Sequence, residues 1–242
     1  MENKIKMIIT DLDRSLLNNE CNISEYTKNV LIKCKNMGFI LVFATARPLR
    51  ETKTFFNSIL PHAVICHNGA VVYINEIQFY QCGIKQKMAK NILKNVERDY
   101  QIINLAIESE DVIYKKLDIE NLKQNNIDKI IIGLEKVKDI NDIKNYLPEE
   151  LYVENSEGKV GLIMNKGATK WNGINKLVEY YKIDIENTIA FGDDYNDIEM
   201  VKKCGIGVGM ENGIIEIRNE AKYICGNNNE DGIAKWIIGN IL

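Results

Sequence analysis

The sequence predicts an α/β fold in which a doubly wound, Rossmann-like parallel sheet is interrupted by a smaller α+β domain. Three observations predict it. The runs Met7-Ile8-Ile9-Thr10, Phe39-Ile40-Leu41-Val42-Phe43-Ala44 and Thr188-Ile189-Ala190-Phe191 are continuous and apolar, as strands buried on both faces of a parallel sheet are. Segments of helical spacing lie between such runs. Near Gly83 the pattern turns into short strands at hairpin spacing, and the wound pattern returns at Lys166.

Taken in order, the first segment reads β-α-β-α-β. Ser24 caps a helix on which Val30, Leu31, Cys34 and Met37 recur, and Gly38 closes it. Pro48 suits the first turn of the next helix and Pro61 marks its end. Val64-Ile65-Cys66 is a short strand. Val71–Ile74 and Ile77–Tyr80, separated by Asn75-Glu76, read as a hairpin. A helix from about Ile84 to Tyr100 follows, then strands near Ile102–Glu108, Val112–Lys116 and Lys129–Leu134. A helix near Ile140–Tyr146 and strands near Leu151–Glu154 and Lys159–Ile163 complete the insertion. The expected division is therefore a core of residues 1–82 and 163–242 and an inserted α+β domain of residues 83–162. Beyond it, Trp171, Ile174, Leu177, Val178 and Tyr181 mark a helix opened by Asn165-Lys166-Gly167.

Chemistry collects where these strands end. The first run stops at Asp11-Leu12-Asp13-Arg14-Ser15, two carboxylates spaced i, i+2. A strand alternates its side chains, so the backbone must turn there if both acids are to reach one site. Acids that cap a following helix are the plain alternative; nucleophilic catalysis with a metal is the functional one. The second run ends at Thr45-Ala46-Arg47, and the third at Gly192-Asp193-Asp194-Tyr195-Asn196-Asp197. Ligands of open α/β sheets bind beyond the carboxyl ends of the strands, which brings acid pair, hydroxyl, lysine and acid cluster within reach of one another.

In order and kind, these elements resemble the signature of the haloacid dehalogenase superfamily, and more narrowly its Cof-type phosphatases. The first motif is matched by Asp11-Leu12-Asp13-Arg14-Ser15-Leu16-Leu17 and the second by Ala44-Thr45-Ala46-Arg47-Pro48. The third is matched by Lys166-Gly167 and the fourth by Gly192-Asp193-Asp194-Tyr195-Asn196-Asp197. His67-Asn68-Gly69-Ala70 and Glu230-Asp231-Gly232-Ile233-Ala234 are further family-like stretches. The resemblance runs from Ile8 to Ala234 and is weakest in the middle third. This chain departs from the family's usual Gly at Arg14, Thr at Ser15 and Gly at Ala46. Ser15 keeps the hydroxyl. Arg14 reads either as a solvated loop residue or as a cation beside the phosphate site.

The resemblance implies a phosphatase of small phosphorylated metabolites, sugar phosphates or phosphorylated cofactors, with Mg2+ as cofactor. Asp11 would attack phosphorus to form an aspartyl-phosphate, and Asp13 would act as acid and then base. Asp11, the backbone carbonyl of Asp13 and Asp193 would hold Mg2+, with Asp194 and Asp197 orienting waters and Lys166. Thr45, Ala46 through its backbone N–H, Lys166 and Asn196 would bind the phosphoryl group. The inserted domain would close over the site as a cap. The alternatives are a phosphotransferase or phosphomutase using the same nucleophile, or a phosphate-sensing module without turnover. Asp13 and the insertion speak against the last.

Composition sets further bounds. At 242 residues, 45% hydrophobic and 27% charged, the chain suits one large or two small globular domains. A net charge of −3 offers no general attraction to nucleic acid. No apolar run is long enough for a bilayer and the first strand starts almost at once, so a cytoplasmic protein without membrane association is expected. Cys21, Cys34, Cys66, Cys82, Cys204 and Cys225 form no metal-binding pattern and read as free or buried thiols. His62 and His67 read as structural. Lys87, Lys90, Lys94 and Arg98 form a basic stripe, read first as a solvated helix face and second as steering for a phosphorylated substrate. Gly205–Gly209 lacks the spacing of a dinucleotide loop.

Overall fold

The computed structural model describes residues 5–56, 59–115, 125–136, 140, 142–156 and 160–242. Its strands are β1 (Met7–Asp11), β2 (Ile40–Ala44), β3 (Ala63–Cys66), β4 (Val71–Ile74), β5 (Ile77–Gln81), β6 (Ile84–Lys85), β7 (Ile102–Ser109) and β8 (Val112–Lys115). They continue as β9 (Asn126–Ile127), β10 (Lys129–Leu134), β11 (Leu151–Ser156), β12 (Val160–Asn165), β13 (Thr188–Gly192), β14 (Ile206–Met210) and β15 (Tyr223–Cys225). The α-helices are α1 (Glu25–Asn36), α2 (Leu49–Phe56), α3 (Gln86–Asp99), α4 (Lys170–Tyr181), α5 (Ile198–Lys203), α6 (Ile215–Glu220) and α7 (Gly232–Asn240). Among the described residues no helix is long and apolar enough to cross a membrane.

The chain divides into two units, Met1–Tyr80 with Thr169–Leu242, and Gln81–Ala168. In the first, eight strands run in the order β15-β14-β13-β1-β2-β3-β4-β5. The pairs from β15 through to β3 are parallel, and β4 turns the sheet antiparallel against β3. Strands β2 and β3 lie to one side of β1, and β13, β14 and β15 to the other. The winding direction therefore reverses beside β1, which makes its carboxyl end the switch point of the sheet. Met7, Ile9, Val42, Ala44, Ile65 and Ala190 present one face of these strands to Ile174 and Leu177 of α4. On β1 every residue is buried, as the continuous apolar run requires.

Local chemistry sets the helix starts. Ser24 caps α1, its Oγ accepting from the Thr27 N–H at 3.0 Å. Asp231, at φ 57°, reaches the same corner: its Oδ1 accepts from Ser24 Oγ and, at 2.8 Å, from Thr27 Oγ1. Nearby, Asn228 Nδ2 donates to the Leu17 carbonyl at 2.9 Å, tying the carboxyl-terminal segment to the loop that leaves β1. Asn75 and Glu76, both at positive φ, make the two-residue turn between β4 and β5 that the hairpin spacing predicts.

The second unit holds an antiparallel five-stranded sheet in the order β11-β12-β10-β7-β8, with a small β6-β9 pair. Its core joins Ala89, Ile92, Leu93 and Val96 of α3 to Leu105, Ile107, Ile130 and Ile132. Three details differ from the sequence expectation. Ile84 and Lys85 pair with β9 instead of opening the helix. The helix expected near Ile140–Tyr146 is present at Ile140 and Asp142 and tightens to a 3-10 turn over Ile143–Tyr146, with residues 137–139 and 141 outside the described residues, as Lys116 and Lys159 also are. The boundary falls after Ala168 instead of residue 162, because β12 runs on to Asn165, which pairs with Leu151.

Asp128 is fully buried in this unit. Burial pushes its carboxyl up to about 6, against the Gln81 side chain and the Glu110 backbone N–H, and Glu108 and Glu110 raise it further. Gln81 Nε2 donates to Asp128 Oδ1 at 2.6 Å, while Oδ2 has no hydrogen-bond partner.

Two expectations follow from these contacts. The folded state holds a proton on Asp128 that the unfolded chain has already lost between its ordinary value near 3.8 and about 6. Stability contributed by that proton is therefore present below the lower value and lost as pH rises through the upper one. Asp128→Asn should flatten the fall in urea stability across that window and stabilise the protein at pH 7.5 by on the order of 1–2 kcal/mol; an unchanged slope would contradict the assignment. Asp231→Ala removes a charged acceptor from two hydroxyls at a left-handed position. It should lower the unfolding free energy by about 2 kcal/mol, read from urea midpoints at constant slope.

Candidate active site

The site is built at the switch point, on the loops that leave β1, β2 and β13. Asp11 is the last residue of β1 and is buried. Beyond it the backbone breaks out of the strand: Asp13 keeps extended angles, Arg14 takes φ 59°, and the Leu17 N–H closes the loop on the Leu12 carbonyl at 2.8 Å. The bend that two carboxylates at i, i+2 demand is thus made at Arg14. It sends the two acids to different partners.

Asp11 meets a lysine, and that lysine is Lys170. Lys170 Nζ donates to Asp11 Oδ1 at 2.6 Å and to Asp197 Oδ1 at 2.7 Å, with the lysine side chain 1% exposed. The expected residue, Lys166, has an exposed side chain in the other unit, where its backbone N–H donates to the Glu150 carbonyl at 2.8 Å. The helix start is the physical cause of this difference. Thr169 is the N-cap of α4, its Oγ1 accepting from the Asn172 N–H at 3.1 Å, so Lys170 is the first helical residue. Lys170, Ile174 and Leu177 then share the buried face of α4, and the ammonium emerges at the strand ends. Lys170 was missed in the sequence; a lysine on the apolar stripe of a predicted helix is the signal that could have found it.

Asp197 is spent on structure. Its Oδ2 accepts from the N–H groups of Asp193 and Asp194 at 3.0 and 3.2 Å, and its Oδ1 holds Lys170. Gly192 makes this possible: a Cβ there would stand 2.4 Å from Asp197 Cβ. Asp194 is exposed and caps the turn through the Tyr195 N–H at 2.8 Å. Asp193 is buried, with Oδ1 accepting from Ser15 Oγ at 3.2 Å and Oδ2 3.6 Å from Arg14 Nε. Burial first, and Asp197 second, push the Asp193 carboxyl up to about 6, with Arg14 and Ser15 opposing.

Asp13 is gripped by Arg47, whose Nε and Nη2 donate to Oδ2 and Oδ1 at 2.8 and 2.6 Å. Arg47 had no assigned role in the sequence reading, although it lies within the second motif. Its guanidinium also stacks 5.4 Å from the Phe55 ring centre. Thr45 is buried after β2, its Oγ1 accepting from the Arg47 N–H at 3.1 Å, and Ala46 is exposed beside it. Asn196 Nδ2 donates to Asn68 Oδ1 at 2.9 Å, and the Asn68 N–H donates to the Thr45 carbonyl at 3.0 Å. Asn68, at φ 55°, thereby links the turn after β13 to the loop after β2. The stretch containing it was visible in the sequence, but its partners were not.

Asp11, Asp193 and Asp197 offer carboxylate oxygens within 4.8 Å of one another, the one such group among the described residues. With both oxygens of Asp197 engaged, Asp11 and Asp193 are the donors left for a cation. Asp11 Oδ2 is buried with no hydrogen-bond partner. Burial raises the Asp11 carboxyl well above the usual carboxylate range, and Asp197 and Asp193 add to this while Lys170 opposes. Lys170 and Arg14 answer only two of the three acids, which leaves negative charge uncompensated, and hard oxygen donors in that state fit Mg2+.

Comparison with known proteins gives the family. A family model described as haloacid dehalogenase-like hydrolase matches residues 8–118 and 114–237. The 5-amino-6-(5-phospho-D-ribitylamino)uracil phosphatase YitU of Bacillus subtilis (strain 168) is 27% identical over 267 residues, spanning 98% of this chain and 98% of the relative. A crystal structure of a haloacid dehalogenase-like hydrolase from Bacteroides thetaiotaomicron superposes with a TM-score of 0.86 at 22% identity, over 97% of this chain and 99% of that one. A HAD subclass IIB sugar phosphatase superposes with a TM-score of 0.78 at 21% identity, over 97% and 98%. With the motifs at the strand ends and the family match along nearly the whole chain, this protein belongs to the haloacid dehalogenase-like hydrolases.

Proposed function

We propose that this chain is a Mg2+-dependent phosphatase of small phosphorylated metabolites that works through an aspartyl-phosphate on Asp11. The observation that carries this reading is the state of Asp11: buried, fixed at Oδ1 by Lys170, and left with Oδ2 unpartnered. A carboxylate so placed gains from a divalent cation and from an electrophilic phosphorus. The names of YitU and of the subclass IIB sugar phosphatase point the substrate class toward phosphorylated polyols, sugars and cofactor precursors.

Asp11 and Asp193, with the Asp13 backbone carbonyl, would hold Mg2+. When bound, it would neutralise charge on the phosphoryl oxygens and on the two acids. The chain does the rest. Asp11 attacks phosphorus as the bond to the substrate oxygen breaks, and Asp13 gives that oxygen a proton. Asp13 then takes a proton from the water that attacks the aspartyl-phosphate, which releases phosphate and restores Asp11. For either step one Asp13 oxygen must leave the Arg47 fork. Lys170 holds Asp11 in position, and Asp197 holds Lys170. Thr45 Oγ, the Ala46 N–H and the Asn196 amide donate to the phosphoryl oxygens. An alcohol in place of water would make the same site a phosphotransferase.

The test is phosphate release from a panel of pentose, hexose, polyol, flavin and pyridoxal phosphates, with Mg2+ and with excess chelator. Release from several monoesters, lost in chelator, is expected; transfer to an added alcohol without net release would favour the phosphotransferase. Asp11→Asn should lower kcat by at least about a thousandfold with the fold intact by circular dichroism. Activity within tenfold of the unmodified protein would exclude Asp11 as nucleophile. Lys170→Met should lower kcat by about a hundredfold or more and also destabilise the fold, because two buried carboxylates lose their cation. Lys166→Met should leave kcat within about threefold, since Lys170 already supplies the ammonium that Asp11 and Asp197 share. The reverse ranking of the two lysines would overturn the site as described.

A further inference from the structure

Arg14 stands in a conformation that suits glycine. At φ 59° a long side chain is disfavoured, yet the chain has an arginine there and holds it at both ends. Asn212 Nδ2 donates to the Arg14 carbonyl at 2.8 Å, and Arg14 Nη2 donates to the Asn212 carbonyl at 2.9 Å. Asn212 is itself fixed, its Oδ1 accepting from the Asn228 N–H at 3.0 Å. This reciprocal clamp leaves the guanidinium beside the acid cluster, with Nε 3.6 Å from Asp193 Oδ2. The other Asp193 oxygen already accepts from Ser15 Oγ. Oδ2 is therefore the oxygen Asp193 has to offer a cation, and Arg14 is next to it.

We propose that Arg14 is an internal counter-cation of the metal site, lying against the Asp193 oxygen that Mg2+ would take and so lowering the affinity of the site for divalent ions. The proposal rests on the Mg2+ reading above. A guanidinium does not lose its proton, so Arg14 cannot withdraw by neutralising. It yields only by moving aside, and its side chain, 59% exposed, has solvent to move into. Bringing a double positive charge within about 5 Å of a retained single one costs enough, even at water-like dielectric, to change affinity on the order of tenfold. Exposure and salt reduce that to about three- to tenfold. The arginine that costs metal affinity also keeps Asp193 from standing as an uncompensated buried charge before the ion arrives. Its consequence is a site that fills only at higher free Mg2+ than the same acids would need alone.

Calorimetric titration of the full chain with MgCl2 at low ionic strength, without substrate, reads this directly. Arg14→Gln removes the charge at similar length and should bind Mg2+ three- to tenfold more tightly, with the gap narrowing as NaCl is raised. Arg14→Gly, which relieves the backbone, should show the same tightening and serves if the glutamine variant does not fold. Arg14→Lys keeps a charge and should stay within twofold of the unmodified protein. Equal or weaker Mg2+ binding by both neutral variants, with the unmodified protein binding normally, would overturn the proposal. A raised KM at unchanged Mg2+ affinity would overturn it too, and would reassign Arg14 to the substrate. No Mg2+ binding by the unmodified protein would instead overturn the metal reading itself.

Discussion

The ammonium of Lys170 between Asp11 and Asp197 is the interaction on which the rest of the site depends. It joins the end of β1, the first turn of α4 and the turn after β13 inside a region closed to solvent. Each of the three groups is tolerable there only because the others are present. A lone buried carboxylate or ammonium carries a desolvation cost that no nearby apolar contact offsets. The triad also leaves a residue of charge, since Asp193 shares the same pocket. The arrangement is satisfied enough to fold and is still short of positive charge.

The loops around that triad are shaped by backbone positions that ordinary residues avoid. Arg14, His67, Asn68 and Asp231 all take positive φ. Each turns the chain sharply just past a strand or before a helix, which is how side chains from distant segments converge over one sheet edge. Asn68 ties the loop after β2 to the turn after β13, and Asp231 with Asn228 ties the carboxyl-terminal segment to α1 and to the loop after β1. Strain stored at such positions is held by these side-chain bonds, in keeping with its concentration at functional sites. Gly192 contributes through its lack of a side chain, because Asp197 fills the space where a Cβ would stand.

The inserted unit follows a different logic. Its sheet is antiparallel, and α3 buries one stripe against Leu105, Ile107, Ile130 and Ile132. The basic stripe of Lys87, Lys90, Lys94 and Arg98 lies on the opposite, exposed side of α3, as expected for a solvated helix face. Asp128 stands apart as a fully buried acid whose one hydrogen-bonded oxygen faces Gln81, the first residue of the unit. Polar contacts of this kind are invisible in the hydrophobic pattern, because a single acid between Ile127 and Lys129 reads as part of a turn.

The sequence alone determined the wound parallel core, the insertion and the polar strand ends. Buried parallel strands must be continuously apolar, and a ligand site at their ends must interrupt that pattern with polar residues. Asp11, Thr45 and Asp193 could therefore be named from local order. Tertiary structure decided which groups actually meet. Lys166 and Lys170 are four residues apart and chemically identical, and only the cap at Thr169 and the packing of α4 sent the second one into the acids. The same holds for Arg47 on Asp13 and Arg14 beside Asp193, contacts across 34 and 179 positions of chain. A hydrophobic pattern records which face of an element is buried, whereas the reach of a long cation depends on where separate elements end in space.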